Sequence, residues 1–177
     1  MKRFVHPSPV GPLTLVSDQG SLIGCEFADR TCTQVAASAS GGGVGDDAVL
    51  DRARAELDQF FGGTLREFTV PLAPRGTEFQ RSVWQALRRI PFGQTVSYGQ
   101  IAKEIGRPAA VRAVGAANGQ NPICILIPCH RVIGADGSLT GFGGGLERKS
   151  FLLDLERGQA PLLWRQARQP SRVSATF

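Results

Sequence analysis

Long apolar runs are missing from this chain: none approaches the roughly 18–20 residues that a membrane span needs. Behind Lys2 and Arg3 come His6, Pro7 and Pro9 rather than the apolar stretch of a secretory signal. Twenty-two glycines and eleven prolines form no Gly-X-Y period, which excludes a collagen-like chain. Histidine is nearly absent, with His6 and His130 only, and the four cysteines (Cys25, Cys32, Cys124 and Cys129) include no C-x-x-C pair. A zinc site would have to combine His6, Cys25, Cys32 and an unspecified fourth ligand, so no metal is expected and Cys25 and Cys32 read as small buried hydrophobes. Together these absences leave a soluble, cytoplasmic globular protein with reduced thiols.

What is present is one ordinary domain's worth of chain, or two small ones: 177 residues, 42% hydrophobic and 20% charged. The net charge of +5 is unevenly spread. Residues 1–75 carry 7 Lys/Arg against 9 Asp/Glu, whereas residues 76–177 carry 13 against 6. A basic C-terminal half suits a phosphate backbone, whose counterions Lys and Arg release. The break in charge points to two units joined between Pro71 and Gly76, with domains over 1–74 and 75–177.

The first unit reads as α+β. Leu13 and Leu15, then Leu22, Ile23 and Phe27, flank the turn signal Asp18-Gln19-Gly20 and predict strands. Residues 36–45 are a low-complexity loop. Asp46 or Asp47 caps a predicted helix with Leu50, Ala53, Leu57 and Phe60 or Phe61 on one face, ended by Gly62-Gly63. Phe68, Val70 and Leu72 alternate as a further strand.

From Thr77 the period becomes helical. Thr77 with Gln80 forms a capping box, and Phe79, Val83, Leu87 and Ile90 make the buried stripe up to the stop Pro91-Phe92-Gly93. Ser97 with Gln100 forms a second box, opening a helix that ends at Gly106. Pro108 takes a first-turn position of a third helix running to about Ala117, and the pair has the arithmetic of a helix-turn-helix. That third helix is mostly alanine, valine and glycine, with Arg112 alone among them. It lacks the Arg, Asn and Gln set that reads bases in the major groove, so it would approach DNA closely without reading much sequence.

After Asn121-Pro122 an apolar run over residues 123–127, read as extended, leads to Pro128-Cys129-His130-Arg131-Val132. Beside a histidine and an arginine, Cys129 is placed to become a thiolate nucleophile; the competing reading is an inert buried cysteine. Cys124, on the opposite face of an extended segment, would be too far from Cys129 for a disulfide.

Asn121-Pro122 with Ile127-Pro128-Cys129-His130-Arg131-Val132 resembles the active-site signature of the O6-alkylguanine-DNA alkyltransferases. The likeness runs upstream through Ser97-Tyr98-Gly99-Gln100-Ile101-Ala102 and Arg112-Ala113-Val114-Gly115, and downstream through Gly143-Gly144 to a helix bearing Glu156. It implies a ribonuclease H-like α/β N-terminal domain with an antiparallel sheet, and a mainly helical C-terminal domain with the helix-turn-helix. It also implies irreversible, single-turnover transfer of an alkyl group from O6-alkylguanine in DNA, with O4-alkylthymine a second candidate substrate, onto Cys129.

By the same resemblance His130 deprotonates Cys129 through a water, Glu156 orients His130, and Asn121 bonds the backbone of the turn before the active site. Tyr98 supplies a proton to the base, Arg112 fills the stack left by the flipped nucleotide, and the carbonyls of Cys129 and Val132 take the exocyclic amine. The Gly143 amide points at the base oxygen, and Phe142 supplies a ring where the family often has tyrosine. Double-stranded DNA entered from the minor groove is the expected partner, of a monomer, with no cofactor, no membrane and no transcription-activating zinc module.

Overall fold

The computed structural model describes residues 1–29 and 47–159. The loop expected at 36–45 and Cys32 fall outside the described residues. Strands β1 (Lys2–His6), β2 (Leu13–Asp18) and β3 (Ser21–Phe27) form an antiparallel meander in that order. The β2–β3 turn needs a left-handed backbone, and Gln19 (φ 47°) and Gly20 (φ 76°) supply it. Helix α1 (Ala48–Phe61) packs on this sheet. Its cap is Asp47, whose carboxylate accepts from the amides of Val49 and Leu50 and from the Ser17 hydroxyl of β2. Leu50, Ala53, Leu57, Phe60 and Phe61 are buried, as their spacing predicts.

The strand expected over Phe68, Val70 and Leu72 does not form. Only Leu72 makes a bridge, parallel to Leu22, through Leu22 N–H to Pro71 O at 2.8 Å and Ala73 N–H to Leu22 O at 2.9 Å. Two causes are visible. Pro71 and Pro74 have no N–H to give a ladder. The amides of Thr69 and Val70 are taken by the buried Glu56 carboxylate at 2.8 and 3.2 Å.

The second half is helical: α2 (Glu78–Arg88), α3 (Tyr98–Glu104), α4 (Val111–Gly119) and α5 (Leu146–Glu156). Both expected capping boxes, Thr77 with Gln80 and Ser97 with Gln100, are formed. Val83, Trp84, Ala86 and Leu87 fill the inner face of α2, while Phe79 is only half-buried. The Trp84 indole donates to Ala117 O of α4 at 2.8 Å, pinning those two helices together. Helix α4 begins later than its sequence suggests: Pro108 lies in the preceding turn, because the chain bonds back from Arg107 N–H to Ala102 O and from Ala110 N–H to Arg107 O before α4 starts.

Two short strands, β4 (Val96–Ser97) and β5 (Val132–Ile133), pair in parallel and fix the start of α3 against the segment after Cys129. The N-terminal sheet holds that segment from the other side, since Cys25 N–H donates to Pro122 O and Cys124 N–H to Cys25 O, each at 2.8 Å. One buried cluster, from Leu13 and Phe27 through Trp84 to Leu152, runs through both halves. Among the described residues no helix is long and apolar enough to cross a membrane.

Glu56 offers a test of the irregular segment. Burial works against its charge, but the Thr69 hydroxyl, the Thr69 and Val70 amides and Arg52 outweigh it and hold its pKa below normal. Glu56→Gln puts an N–H donor against those amides and should cost about 1–3 kcal/mol in urea unfolding. Because the folded pKa is depressed, the wild-type contribution is present above about pH 4.3 and is lost as pH falls through the folded value. Equal stability of the two proteins at pH 7 would contradict this.

Candidate active site

Cys129 opens a 3-10 turn, Cys129–Arg131, on which His130 and Arg131 are also buried. The approach to it is not extended. Residues 123–127 fold back on themselves, with a Cys124–Ile127 bridge and Ile125 in the left-handed region at φ 74°. A β-branched residue rarely accepts that conformation, and Asn121 holds it in place. Its side-chain amide donates to Ile127 O at 2.8 Å and Ile123 O at 3.4 Å, while its oxygen accepts from Ile123 N–H at 3.0 Å. Cys124 and Cys129 are therefore joined by a turn and do not alternate across an extended segment as their spacing predicts.

Glu156, the last residue of α5, lies under the 3-10 turn with its side chain out of water. Its Oε1 is 2.7 Å from His130 Nε2, Arg131 clamps both oxygens through Nε and Nη2 at 2.9–3.1 Å, and Gly93 N–H donates to Oε2 at 2.9 Å. Burial opposes the charge, but His130 and Arg131 hold this carboxylate well below the usual range. With Glu156 as acceptor, His130 carries its proton on Nε2 and leaves Nδ1 as a lone-pair nitrogen. That Nδ1 is buried and has no hydrogen-bond partner among the described residues. Burial, helped by the charges of Arg131 and Lys149, lowers the His130 pKa more than Glu156 raises it, so the imidazole is neutral at pH 7 and able to accept a proton.

The other expected residues occupy the rim. The Tyr98 hydroxyl donates to Thr140 O at 2.8 Å, and burial raises its pKa, so it stays a phenol. Val132 O accepts from Lys149 Nζ at 2.5 Å, and Cys129 O from the Asn118 side chain at 3.3 Å. Phe142 is buried and Gly143 is half-buried beside it. Arg112 stands apart from this cluster, exposed on the outer face of α4, with no ion pair among the described residues.

Four participants were not anticipated from sequence: Gly93, Asn118, Arg131 as the counter-charge of Glu156, and Lys149. Lys149 is fully buried, bonds Val132 O and Thr140 O, and is pulled down to about 8 by burial, against the charge of Cys129. Nothing in the sequence sets it apart from its charged neighbours Glu147 and Arg148. Cys25 is buried in the same core, and burial pushes its thiol up, which makes it inert. Among the described residues no group of three or more His, Cys, Asp or Glu is placed to hold a metal.

Arg131→Met removes the guanidinium that neutralises a buried carboxylate, and should cost about 3–5 kcal/mol in urea unfolding. A loss below about 1 kcal/mol would mean that His130 and Gly93 suffice for Glu156.

Residues 1–74 match the family described as 6-O-methylguanine DNA methyltransferase, ribonuclease-like domain, and residues 78–158 match its DNA binding domain. A Mycobacterium tuberculosis methylated-DNA--protein-cysteine methyltransferase is 49% identical over 154 residues, which is 87% of this chain and 91% of that protein. A Methanosarcina acetivorans protein of the same name is 47% identical over 156 residues, 88% of this chain and 98% of its own. The crystal structure of Mycobacterium tuberculosis OGT in complex with DNA has a TM-score of 0.81 at 46% identity, covering 91% of this chain and 96% of that one.

Proposed function

Since the chain belongs to the 6-O-methylguanine DNA methyltransferase family, we propose that it repairs DNA by taking the alkyl group of O6-alkylguanine onto Cys129, once per molecule. It is a DNA-binding methyltransferase of the methylated-DNA–protein-cysteine class, and direct reversal of base alkylation is its activity. The observation that carries the assignment of Cys129 is the adjoining His130, tied by Nε2 to Glu156 at 2.7 Å, with Nδ1 lacking a hydrogen-bond partner among the described residues.

The chemistry follows from those positions. A water relays the thiol proton to His130 Nδ1, and Glu156 stabilises the imidazolium that results. The thiolate attacks the alkyl carbon, a C–S bond forms and the C–O6 bond breaks with its electron pair going to guanine. Tyr98, held as a phenol at the rim, gives a proton to the ring and improves the leaving group. Lys149, buried and electrostatically coupled to Cys129, offsets the thiolate charge in a site shielded from water. Phe142 and the Gly143 amide bound the pocket, and the carbonyls of Cys129 and Val132 face the exocyclic amine. A thioether has no easy return to thiol, so no cofactor regenerates the protein.

The alkylated oxygen is out of reach inside a duplex, so the base must flip. Helix α4 turns Val111, Arg112, Ala113 and Ala116 outward, a small-residue surface suited to close approach in the minor groove, with Arg112 filling the vacated stack. A single copy, divided at residue 74 into a scaffold and a DNA-binding unit, contains every group this needs. It works in the cytoplasm, where thiols stay reduced.

Incubation with a duplex carrying O6-methylguanine should add one methyl mass, and no more than one, to the intact protein. Cys129→Ala should gain none. Binding without mass gain, or continued turnover, would overturn the reading. Arg112→Ala should slow repair of duplex DNA by roughly ten- to hundredfold and leave reaction with a free-base analogue nearly unchanged. Equal losses on both substrates would make Arg112 a pocket residue instead.

A further inference from the structure

Phe142 has a partner from the other half of the chain. Phe27, at the end of β3 and 1% exposed, meets it edge to face with ring centroids 5.9 Å apart and planes at 71°. Over the Phe27 ring lies the Arg148 guanidinium, 4.6 Å from its centroid. The same guanidinium binds three separate segments: Nε to Val10 O at 2.7 Å, Nη1 to Gly144 O at 3.1 Å and Nη2 to Asp29 Oδ2 at 2.7 Å. Gly144 fits between the rings only because it has no side chain, since a Cβ there would overlap Phe27 and stand 2.6 Å from Phe142 Cε1. Phe27, with Arg148 over it, and Gly144 thus pack against the Phe142 ring.

We propose that Phe27, seated by Arg148, is a positioning residue that fixes the Phe142 ring as a wall of the alkyl pocket and so sets how this protein ranks alkyl groups of different size. The inference rests on the reading of Phe142 as a pocket residue. A ring ordered during folding costs nothing further to order when a substituent stacks on it. A large flat substituent uses that wall across its whole face, through offset or edge contacts. A methyl group is too small to cover it and gains little. Loosening Phe142 should therefore penalise a benzyl group much more than a methyl group.

The test is the ratio of single-turnover rates on oligonucleotides carrying O6-benzylguanine and O6-methylguanine, measured with intact protein well below each variant's unfolding midpoint. Phe27→Leu should slow benzyl transfer about tenfold and methyl transfer less than about threefold. Arg148→Met keeps a long stem but frees Phe27, and should shift the ratio in the same direction; it reads the link even if Phe27→Leu folds poorly. Phe142→Leu is the reference and should shift the ratio at least as far. A ratio unmoved by Phe142→Leu removes the pocket reading and the proposal with it. A ratio moved by Phe142→Leu but not by Phe27→Leu or Arg148→Met removes the proposal alone, as does equal slowing of both substrates by the two supporting variants.

Discussion

A carboxylate taken out of water must have its charge and its lone pairs answered by the protein, and Glu156 has both answered from two places in the chain. Arg131 and His130 come from the 3-10 turn and Gly93 from the turn after α2, so one side chain at the end of α5 draws these elements to a single point. Two of these partners do a second job. Arg131 also donates to Ile90 O at 2.6 Å, which closes the end of α2, and its guanidinium lies 5.8 Å from the Phe92 ring centroid. His130 is fixed in the tautomer that leaves Nδ1 as a lone-pair nitrogen. An ion pair of this kind adds little net stability over an apolar substitute, and its value is the geometry it enforces.

The other side of the site is organised round a carbonyl. Thr140 O accepts from both Tyr98 Oη and Lys149 Nζ, so α3, α5 and the loop before Phe142 share one anchor. Lys149 reaches Val132 O as well, and β5 therefore joins the same network. The N-terminal sheet contributes from beneath, through the main-chain bonds of Cys25 to Pro122 and Cys124, and from the side through Phe27. Although it contributes no acid, base or nucleophile to the reaction proposed, it supports the backbone on which those groups stand.

Helix caps and stripes were legible because they are local: Thr77, Ser97 and Asp47 sit within three residues of the amides they satisfy. The identity of Cys129, His130 and Glu156 as a group came through the resemblance of a motif. The Glu156 contacts to Gly93 and Arg131 span 63 and 25 residues, and no periodicity reports a pairing of that range. Lys149 follows Glu147 and Arg148, and in sequence it is indistinguishable from a solvated charge; only packing shows that it is buried. Two local patterns misled for physical reasons. The alternation of Phe68, Val70 and Leu72 met amides already claimed by Glu56, and the apolar run 123–127 met a side chain, Asn121, able to hold a turn that its β-branched residues disfavour.

The reaction proposed for Cys129 requires that the charge on Glu156, acting through His130, make removal of the thiol proton favourable near neutral pH. Free cysteine has a pKa of about 8.5, so without that help little thiolate exists at pH 7. Glu156→Gln keeps the shape and one hydrogen bond while removing the charge. Single-turnover alkyl transfer by this variant, followed from about pH 6 to 9, should be slow at pH 7 and regain part of the loss at the alkaline end, with affinity for DNA nearly unchanged. A wild-type rate across the whole range would remove Glu156 from the proton transfer and reduce it to a structural carboxylate.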